Sequence, residues 1–560
     1  MSYYPHKHKM LTRTGENNNE KYIINGRIFH KSPKNLISDY RSKPLSEYLD
    51  FEMRNSAGDY ALIENAGKDA VIITSPGFSG GYIQTINNIS VGRTLHAVLS
   101  DLEREDISFS QKKLQFYIDH DQTDQLPHST IFGQIYRLPP GAVMQISDSD
   151  IVRKYTYVQN GGYSNNSVGE ALEQSVSTLA GEKKVTLMYS GGIDSTALYH
   201  SLKEELGEDR FRVVSIDIGP NTNSVSRAKT IGEQYDIPVE SVNFGWPPTD
   251  SDTRKIINNA LSRDLINPLN PHWALHAEKE NQIAISGQNM DAMLTIDMHR
   301  PQITFLNHLL ATKDTVGVIK QLLSNLQYTH MYENNEFLKN IYSIVVPKLL
   351  GGHLEGVSGR AGYYLGQLST GHPNIVDEYR AVVQEELEYL SELIEVLDPQ
   401  LVNYIKYQHN AAKIIGTFSS QGTQVHLPSM WGPVASYCLN KKKSITDAVS
   451  PKREIYDYVY NKSGLKHKEI QYQSSREYLS DIEDEKTYKR SMESPILQNN
   501  IEYFEVDESY ILELMEDPPT NIKEEYRTAQ QNIPKKITLS TISRYHRILN
   551  MEKILEKSIF

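Results

Sequence analysis

Cysteine is nearly absent from this chain, which has one, Cys438, in 560 residues. That excludes an internal disulfide framework and a cysteine-cluster zinc site, and it fits a reducing, cytoplasmic setting. Cys438 lies in the apolar-flanked segment from Val434 to Leu439 and reads as a small buried side chain rather than a nucleophile. Long apolar runs are missing too. The mean hydropathy is −0.50, and no stretch of about 18 apolar residues occurs, so no spanning helix and no membrane partner is expected. Residues 1–20 carry no apolar signal core and read as a polar arm. Positive charge is in the minority: 58 Lys and Arg against 70 Asp and Glu give a formal net charge of −12 and an isoelectric point of about 5.9. Lys441-Lys442-Lys443 is short and reads as a solvated face, so nucleic acid is not expected as the main partner. Internal repeats and low-complexity tracts are absent, and so is the G-x-x-x-x-G-K-[ST] lysine of a Walker-type loop.

What is present is enough chain for two or three domains and a large core. From about residue 21 to 160 the pattern is strand-rich. Tyr60–Ile63, Asp69–Ile73 and Ala142–Ile146 are strand candidates, and Pro139-Pro140-Gly141 marks a chain reversal. Gly161-Gly162 and Asn165-Asn166 mark a linker. From about 183 to 290 strands and helices alternate. The strand candidates are Val185–Tyr189, Val213–Ile218, Val239–Phe244 and Ile283–Ile285. Val225, Ala228, Ile231 and Tyr235 form a helical stripe, with Ser224 expected as its N-cap. That alternation predicts an α/β fold built on a parallel, doubly wound sheet, with ligands at the carboxyl ends of the strands. Residues from about 300 to 440 read as mostly helical, those from about 475 to 540 as charged and irregular, and Ile537–Ile559 as a closing helix.

The densest chemistry sits at Ser190-Gly191-Gly192-Ile193-Asp194-Ser195. An apolar strand precedes it, and Leu198, Leu202 and Leu206 recur every four residues after it, as on the buried face of a helix. A strand, a glycine turn and a helix start together make an anion site. Amides converge, the helix dipole favours negative charge, and absent Cβ atoms let oxygens approach. Ser190 and Ser195 can add hydroxyl donors. Asp194 would repel an anion unless a cation lay between them, which implies magnesium.

These residues resemble the pyrophosphate-binding loop (PP-loop) of the ATP pyrophosphatase superfamily, and the sequence is most similar to the asparagine synthetase branch. The resemblance implies ATP as the bound nucleotide, with pyrophosphate over Ser190, Gly191, Gly192, Asp194 and Ser195. A second cluster, Ser286-Gly287-Gln288-Asn289-Met290-Asp291, ends a strand candidate and resembles the family's S-G-E-G-A-D-E. Ser286, Gly287 and Asp291 match it, whereas Gln288 and Ala292 replace the two glutamates. Gln288 cannot act as a base. Asp194 and Asp291 are then the expected magnesium ligands, and Ile218 the expected backbone contact to adenine. Pro451-Lys452-Arg453-Glu454-Ile455 followed by Lys466-His467-Lys468 resembles the family's P-K-x-x-L and R-x-K, which makes Lys468 the expected catalytic cation.

The N-terminal half resembles the family's class II glutaminase (Ntn-type) domain through Tyr22–Phe29, Gly58–Leu62 and Ile135–Gly141. The nucleophilic cysteine, the opening strand and the R-G-P segment of that domain have no match. The expectation is therefore a polar arm over 1–20, a degenerate glutaminase-like domain over 21–165 and a synthetase domain over 170–560, as in the lasso-peptide cyclases and β-lactam-forming synthetases. The implied activity is an AMP-forming amide ligase with no glutaminase activity. It would act on a small-molecule or peptide carboxylate and an amine, by ring closure, with a second substrate or with free ammonia. Ammonia-dependent amidation of a small acid such as a sugar uronate, an RNA-modifying PP-loop enzyme and a non-catalytic nucleotide-binding remnant stand as alternatives. The acidic balance speaks against the RNA-modifying reading. Oligomeric state is not legible.

Overall fold

In the computed structural model the chain is a mixed α/β protein with one parallel and two antiparallel sheets. The structure describes residues 13–14, 21–28, 33–55, 58–66, 69–85, 89–102, 106–108, 110, 113, 128–147, 150–158, 167–216, 223–242, 271–280, 282–294, 380–393, 399–430, 432–441, 452–468 and 470. In chain order the strands of the first half are β1 (Arg13–Thr14), β2 (Lys21–Ile28), β3 (Gly58–Ala66), β4 (Asp69–Thr74), β5 (Tyr82–Gln84), β6 (Ser90–Gly92), β7 (Ile135–Arg137), β8 (Ala142–Ser147) and β9 (Asp150–Thr156). The second half carries β10 (Val185–Met188), β11 (Phe211–Ile216), β12 (Val239–Val242), β13 (Ile283–Ser286) and β14 (Gln424–His426). The helices are α1 (Pro33–Ser42), α2 (Leu45–Asn55), α3 (Leu95–Leu99), α4 (Val168–Ala180), α5 (Ile193–Leu206), α6 (Ser224–Tyr235), α7 (Pro271–Glu280), α8 (Met290–Leu294), α9 (Arg380–Leu393), α10 (Pro399–Ser420), α11 (Gly432–Asn440) and α12 (Arg453–Ser463).

The first half folds as an antiparallel sheet ordered β1-β2-β3-β4-β8-β9, beside a smaller one ordered β6-β5-β7. The strand expectations for this half fall inside β3, β4 and β8. The Pro139-Pro140-Gly141 segment carries the chain from one sheet to the other. Gly141 adopts φ +55 there, and its amide donates to the Ser75 carbonyl at 3.0 Å.

The second half holds the parallel sheet, ordered β12-β11-β10-β13-β14. All residues of β10 and β13 are buried, which is why these strands read as near-continuous apolar runs, broken only by Thr186 and Ser286, rather than as alternating patterns. The fifth strand, β14, lies in a region whose sequence reads as helical. At three residues it is too short to show a period, and its only signal is the glycine turn at Gly422 before it. One strand expectation overran by a residue, since β10 ends at Met188 and Tyr189 follows it; β11 and β12 are described to Ile216 and Val242, and the residues expected beyond them, Ile218 included, lie outside the described residues. The expected closing helix over Ile537–Ile559 and the charged stretch before it also lie outside them. Among the described residues no helix is long and apolar enough to cross a membrane.

Helices α4, α5, α11 and α12 pack side by side, while α7 and α8 pack on α10. In α5 the expected stripe is present: Leu198 and Leu202 are fully buried and Leu206 sits at the rim. The N-cap position of α6 is Asn223, which makes no side-chain cap, and Ser224 is the first residue of the helix. Ser224 is buried and its hydroxyl is turned back to the Ile216 carbonyl of β11 at 3.5 Å.

One hydrophobic core runs through both halves, from Tyr60 and Val143 to Leu187, Ile285 and Phe418. Polar groups fasten the same seam. The fully buried Glu386 carboxylate of α9 accepts the amides of His128 at 2.9 Å and Ser129 at 3.0 Å. The Tyr404 hydroxyl and the Gln408 amide of α10 both donate to the Pro76 carbonyl. Burial pushes the Glu386 carboxyl above the usual glutamate range, although the Ser129 and His128 hydrogen bonds pull it down. Removing its acceptors strands two amides in a low-dielectric setting. Glu386→Ala should therefore lower unfolding stability by about 3 kcal/mol, measured by urea titration. Glu386→Gln should cost less, because its carbonyl oxygen still accepts one of the amides.

Candidate functional site

Parallel pairing sets the ends of β10 and β13 level, beside the longer β11. Met188 lies opposite Val214 on one side and Ser286 on the other. The segments that follow β10 and β13 therefore emerge together, and α6 packs against the first of them.

Contact at that point is backbone on backbone. Gly191 adopts φ +71, and a Cβ there would fall 2.9 Å from both the Ala228 Cα and the Arg227 carbonyl oxygen, so α6 lies directly on the turn. A Cβ at Gly287 would fall 3.1 Å from the Asp194 Cβ and 3.4 Å from the Ser195 amide nitrogen. The turn after β13 thus rests on the first turn of α5. The SGGIDS loop and the SGQN turn, about a hundred residues apart in sequence, form one surface.

The loop is braced from within. The hydroxyls of Ser195 and Thr196 each donate to the Gly192 carbonyl at 3.0 Å, and the Ser190 and Ser195 hydroxyls lie 3.4 Å apart. Ser195 is buried and Ser190 is exposed at the mouth. Gly192 is the N-cap of α5 and makes no side-chain cap, leaving the amide end of the helix open to an anion. In the second turn the Gln288 amide donates to the Ser286 hydroxyl at 3.2 Å, and the Ser429 hydroxyl donates to the Gln288 carbonyl at 3.1 Å. Asn289 is buried at φ +65, a left-handed conformation that asparagine tolerates better than most residues.

Asp194 carries the local charge. Its Oδ2 accepts from the Lys452 ammonium at 2.6 Å, with 18% of the aspartate side chain and 11% of the lysine exposed. Its Oδ1 is buried and has no hydrogen-bond partner among the described residues. Lys452 is an unusual residue for that contact. It is the N-cap of α12 with φ +62, a backbone state that costs a non-glycine residue on the order of 1 kcal/mol. The dipole of α12 also opposes a cation at its start. The Asp194 carboxylate offsets both penalties.

The surroundings bias other groups. Burial pushes the Tyr189 hydroxyl up, while its hydrogen bond with Thr196 and the charge of Arg227 act the other way. On α5, burial lowers His200 from 6.5 to about 4, with the charges of Lys203 and Lys462 adding to the shift.

The expected site residues separate into three groups. Ser190, Gly191, Gly192, Asp194, Ser195, Ser286 and Gly287 come together as one surface. Asp291 lies on the backbone of α8, which starts one residue earlier at Met290; its side chain and the whole of Ile218 lie outside the described residues. Lys468 is exposed and is not the lysine paired with Asp194. Its segment packs on the far end of α6, where His467 Nδ1 lies 3.2 Å from the Tyr235 hydroxyl and the Gln234 amide donates to the Lys466 carbonyl at 2.7 Å. Tyr235 is eight residues beyond Arg227, roughly 12 Å along the helix at 1.5 Å per residue. The ammonium at the loop is that of Lys452, in the P-K pair. Arg227 was not signalled by any motif. A Cβ on Gly192 would lie 3.3 Å from its guanidinium nitrogen.

The assembled surface offers converging amides, hydroxyls, two cations and one carboxylate oxygen free to take a cation. No protein-family model matches the chain, and no curated protein matches it.

Gly191→Ala should destabilise the fold by about 2 kcal/mol, since it adds both strain and a clash with the backbone of α6. Lys452→Met should cost a similar amount at neutral pH, because it leaves a largely buried carboxylate without its counter-ion. Asp194→Asn introduced into the Lys452→Met protein should recover part of that loss, read by urea unfolding as a double-mutant cycle. His200 supplies a pH test. Its folded pKa is about 4 against an ordinary 6.5, so the unfolded chain binds the extra proton between those values. Stability should fall as pH drops from 6.5 towards 4. His200→Gln should flatten that slope in thermal melts.

Proposed function

We propose that this protein is an ATP-dependent, amide-bond-forming ligase of the asparagine synthetase type. The observation that carries the reading is the Asp194 carboxylate. It stands in the first turn of a helix that follows a parallel strand and a glycine turn, one oxygen on Lys452 and the other buried with no hydrogen-bond partner among the described residues. A carboxylate at an anion-binding helix start makes chemical sense when a divalent ion joins it to the anion.

Magnesium fits this donor set, since it takes one or two carboxylate oxygens, keeps waters and completes its shell with phosphate oxygens. Asp194, and Asp291 at the start of α8, would hold the ion. When bound it supplies charge neutralisation at the departing pyrophosphate.

The chain's own residues do the rest. Amides at the start of α5 and the hydroxyls of Ser190 and Ser195 bind and orient the phosphates of ATP. Gly191 and Gly287 let that backbone come close. Lys452 holds positive charge beside the phosphates as pyrophosphate leaves, the role the sequence motif gave to Lys468. The substrate carboxylate takes the adenylyl group, and an amine then displaces AMP. The parallel-sheet half is in this reading a PP-loop synthetase domain, and the β-rich half a degenerate glutaminase-like domain without its nucleophile. Nitrogen then comes from an amine in the same molecule, from a second substrate or from free ammonia. Ring closure suits such a site, because it replaces a bimolecular encounter with a positioned one.

A second reading, a nucleotide-binding protein without turnover, is favoured by Gln288, which offers no base, and by the lysine already paired with Asp194. The two readings part in one assay. With magnesium, ATP and a pool of cellular carboxylates and amines, the ligase releases AMP and pyrophosphate together. The remnant binds ATP and releases neither, and that outcome would sink the proposal. Asp194→Asn should abolish release with the fold intact by circular dichroism. Lys452→Met should lower turnover by about a hundredfold, in line with losing a preorganised charge at a developing oxyanion, while Lys468→Met should lose less. Glutamine should not serve as nitrogen donor, so no glutamate should form from it.

A further inference from the structure

Resting on the nucleotide reading above, we infer that Arg227 is a phosphate ligand of this crevice, gripping the pyrophosphate end of the bound nucleotide from α6. The motif residues do not include it; its place in the fold does. Its backbone carbonyl, with the Ala228 Cα, forms the wall that Gly191 touches, and its guanidinium reaches back over the turn to Gly192. The side chain is half-buried, so its charge is only partly screened by solvent. Arg227 closes the first turn of α6, a helix that opens with no acidic residue in that turn. A cation there is opposed by the dipole of its own helix, and it also faces the amide end of α5. Two helix starts, the guanidinium, the Lys452 ammonium and the Asp194 carboxylate stand around Gly192, the set of groups that meets a phosphate chain carrying a divalent ion. The planar fork of arginine matches two phosphate oxygens at once, which the point charge of Lys452 cannot do. The two cations therefore hold different parts of the ligand: lysine beside the carboxylate, arginine across the turn.

The test is binding, independent of any acid or amine substrate. Calorimetric titrations with magnesium pyrophosphate, magnesium ATP and AMP are run on the full chain and on Arg227→Met and Arg227→Lys. Arg227→Met should weaken pyrophosphate and ATP at least tenfold and leave AMP, which lacks the outer phosphates, within twofold. Arg227→Lys should recover only part of the loss. Unchanged pyrophosphate affinity in Arg227→Met would overturn the assignment while leaving the nucleotide reading in place. A native chain that binds neither ATP nor pyrophosphate would remove the nucleotide reading itself, and this inference with it. Should Arg227→Met fail to fold, phenylglyoxal labelling of the native chain decides. Protection of Arg227 by magnesium pyrophosphate but not by AMP supports the contact, and equal labelling with and without pyrophosphate rejects it.

Discussion

Met188 stands level with Val214 and Ser286 across the parallel ladder, and hydrogen-bonded strands cannot slide without breaking the bonds that hold them. That register delivers the ends of β10 and β13 to one height, with β11 running two residues further to Ile216. The chain must then turn in a small space, and the two glycines at the contact points are the answer. With φ +71 and the α6 backbone 2.9 Å from where its Cβ would stand, Gly191 can be nothing larger without moving a helix. The packing of α6 on the turn, the exposure of the α5 amides and the position of Asp194 all descend from that register.

Charge is arranged on this frame by misplacement. Lysine is a poor N-cap and a poor residue at positive φ, yet Lys452 is both. Arginine is unfavourable in a first helical turn, yet Arg227 is there. Lys452 is tolerated because the Asp194 carboxylate is near, and in the proposed function Arg227 also faces phosphate. Cations set against the local rules of their helices differ from scattered surface lysines, whose placement follows those rules and signals nothing.

How much of this was legible varies with the physics of each residue. The loop around Asp194 was readable because glycine, serine and aspartate between a buried strand and an amphipathic helix have few other uses. The core strands were readable because burial on both faces leaves a near-continuous apolar run. β14 was not, being three residues long beside a long helical pattern. The Ser224 cap was misplaced by one residue: Ser224 opens the helix and its hydroxyl is turned to Ile216, a tertiary contact that local preference cannot anticipate. Which lysine meets Asp194 is decided by the same kind of contact. Two lysines lie in similar basic stretches sixteen residues apart, and only the docking of α12 on α5 decides which one meets Asp194. Arg227 left one faint mark, a basic residue in a helix start that lacks acids.

The seam between the halves bears on what natural variation can do to this chain. Glu386 satisfies amides of the β-rich half, Tyr404 and Gln408 satisfy its Pro76 carbonyl, and a single core crosses the boundary. A module joined in this way is not detachable. Its own pockets and loops are free to drift, because chemistry there can be lost without loss of folding, but deleting it would strip the cover from the helices it packs on, α9, α10 and α11, and leave the Glu386 carboxylate without its donors. Sequence drift should therefore concentrate on the outward side of the β-rich half and spare the strip that faces α9 and α10. That half would persist as scaffold long after any independent task had gone.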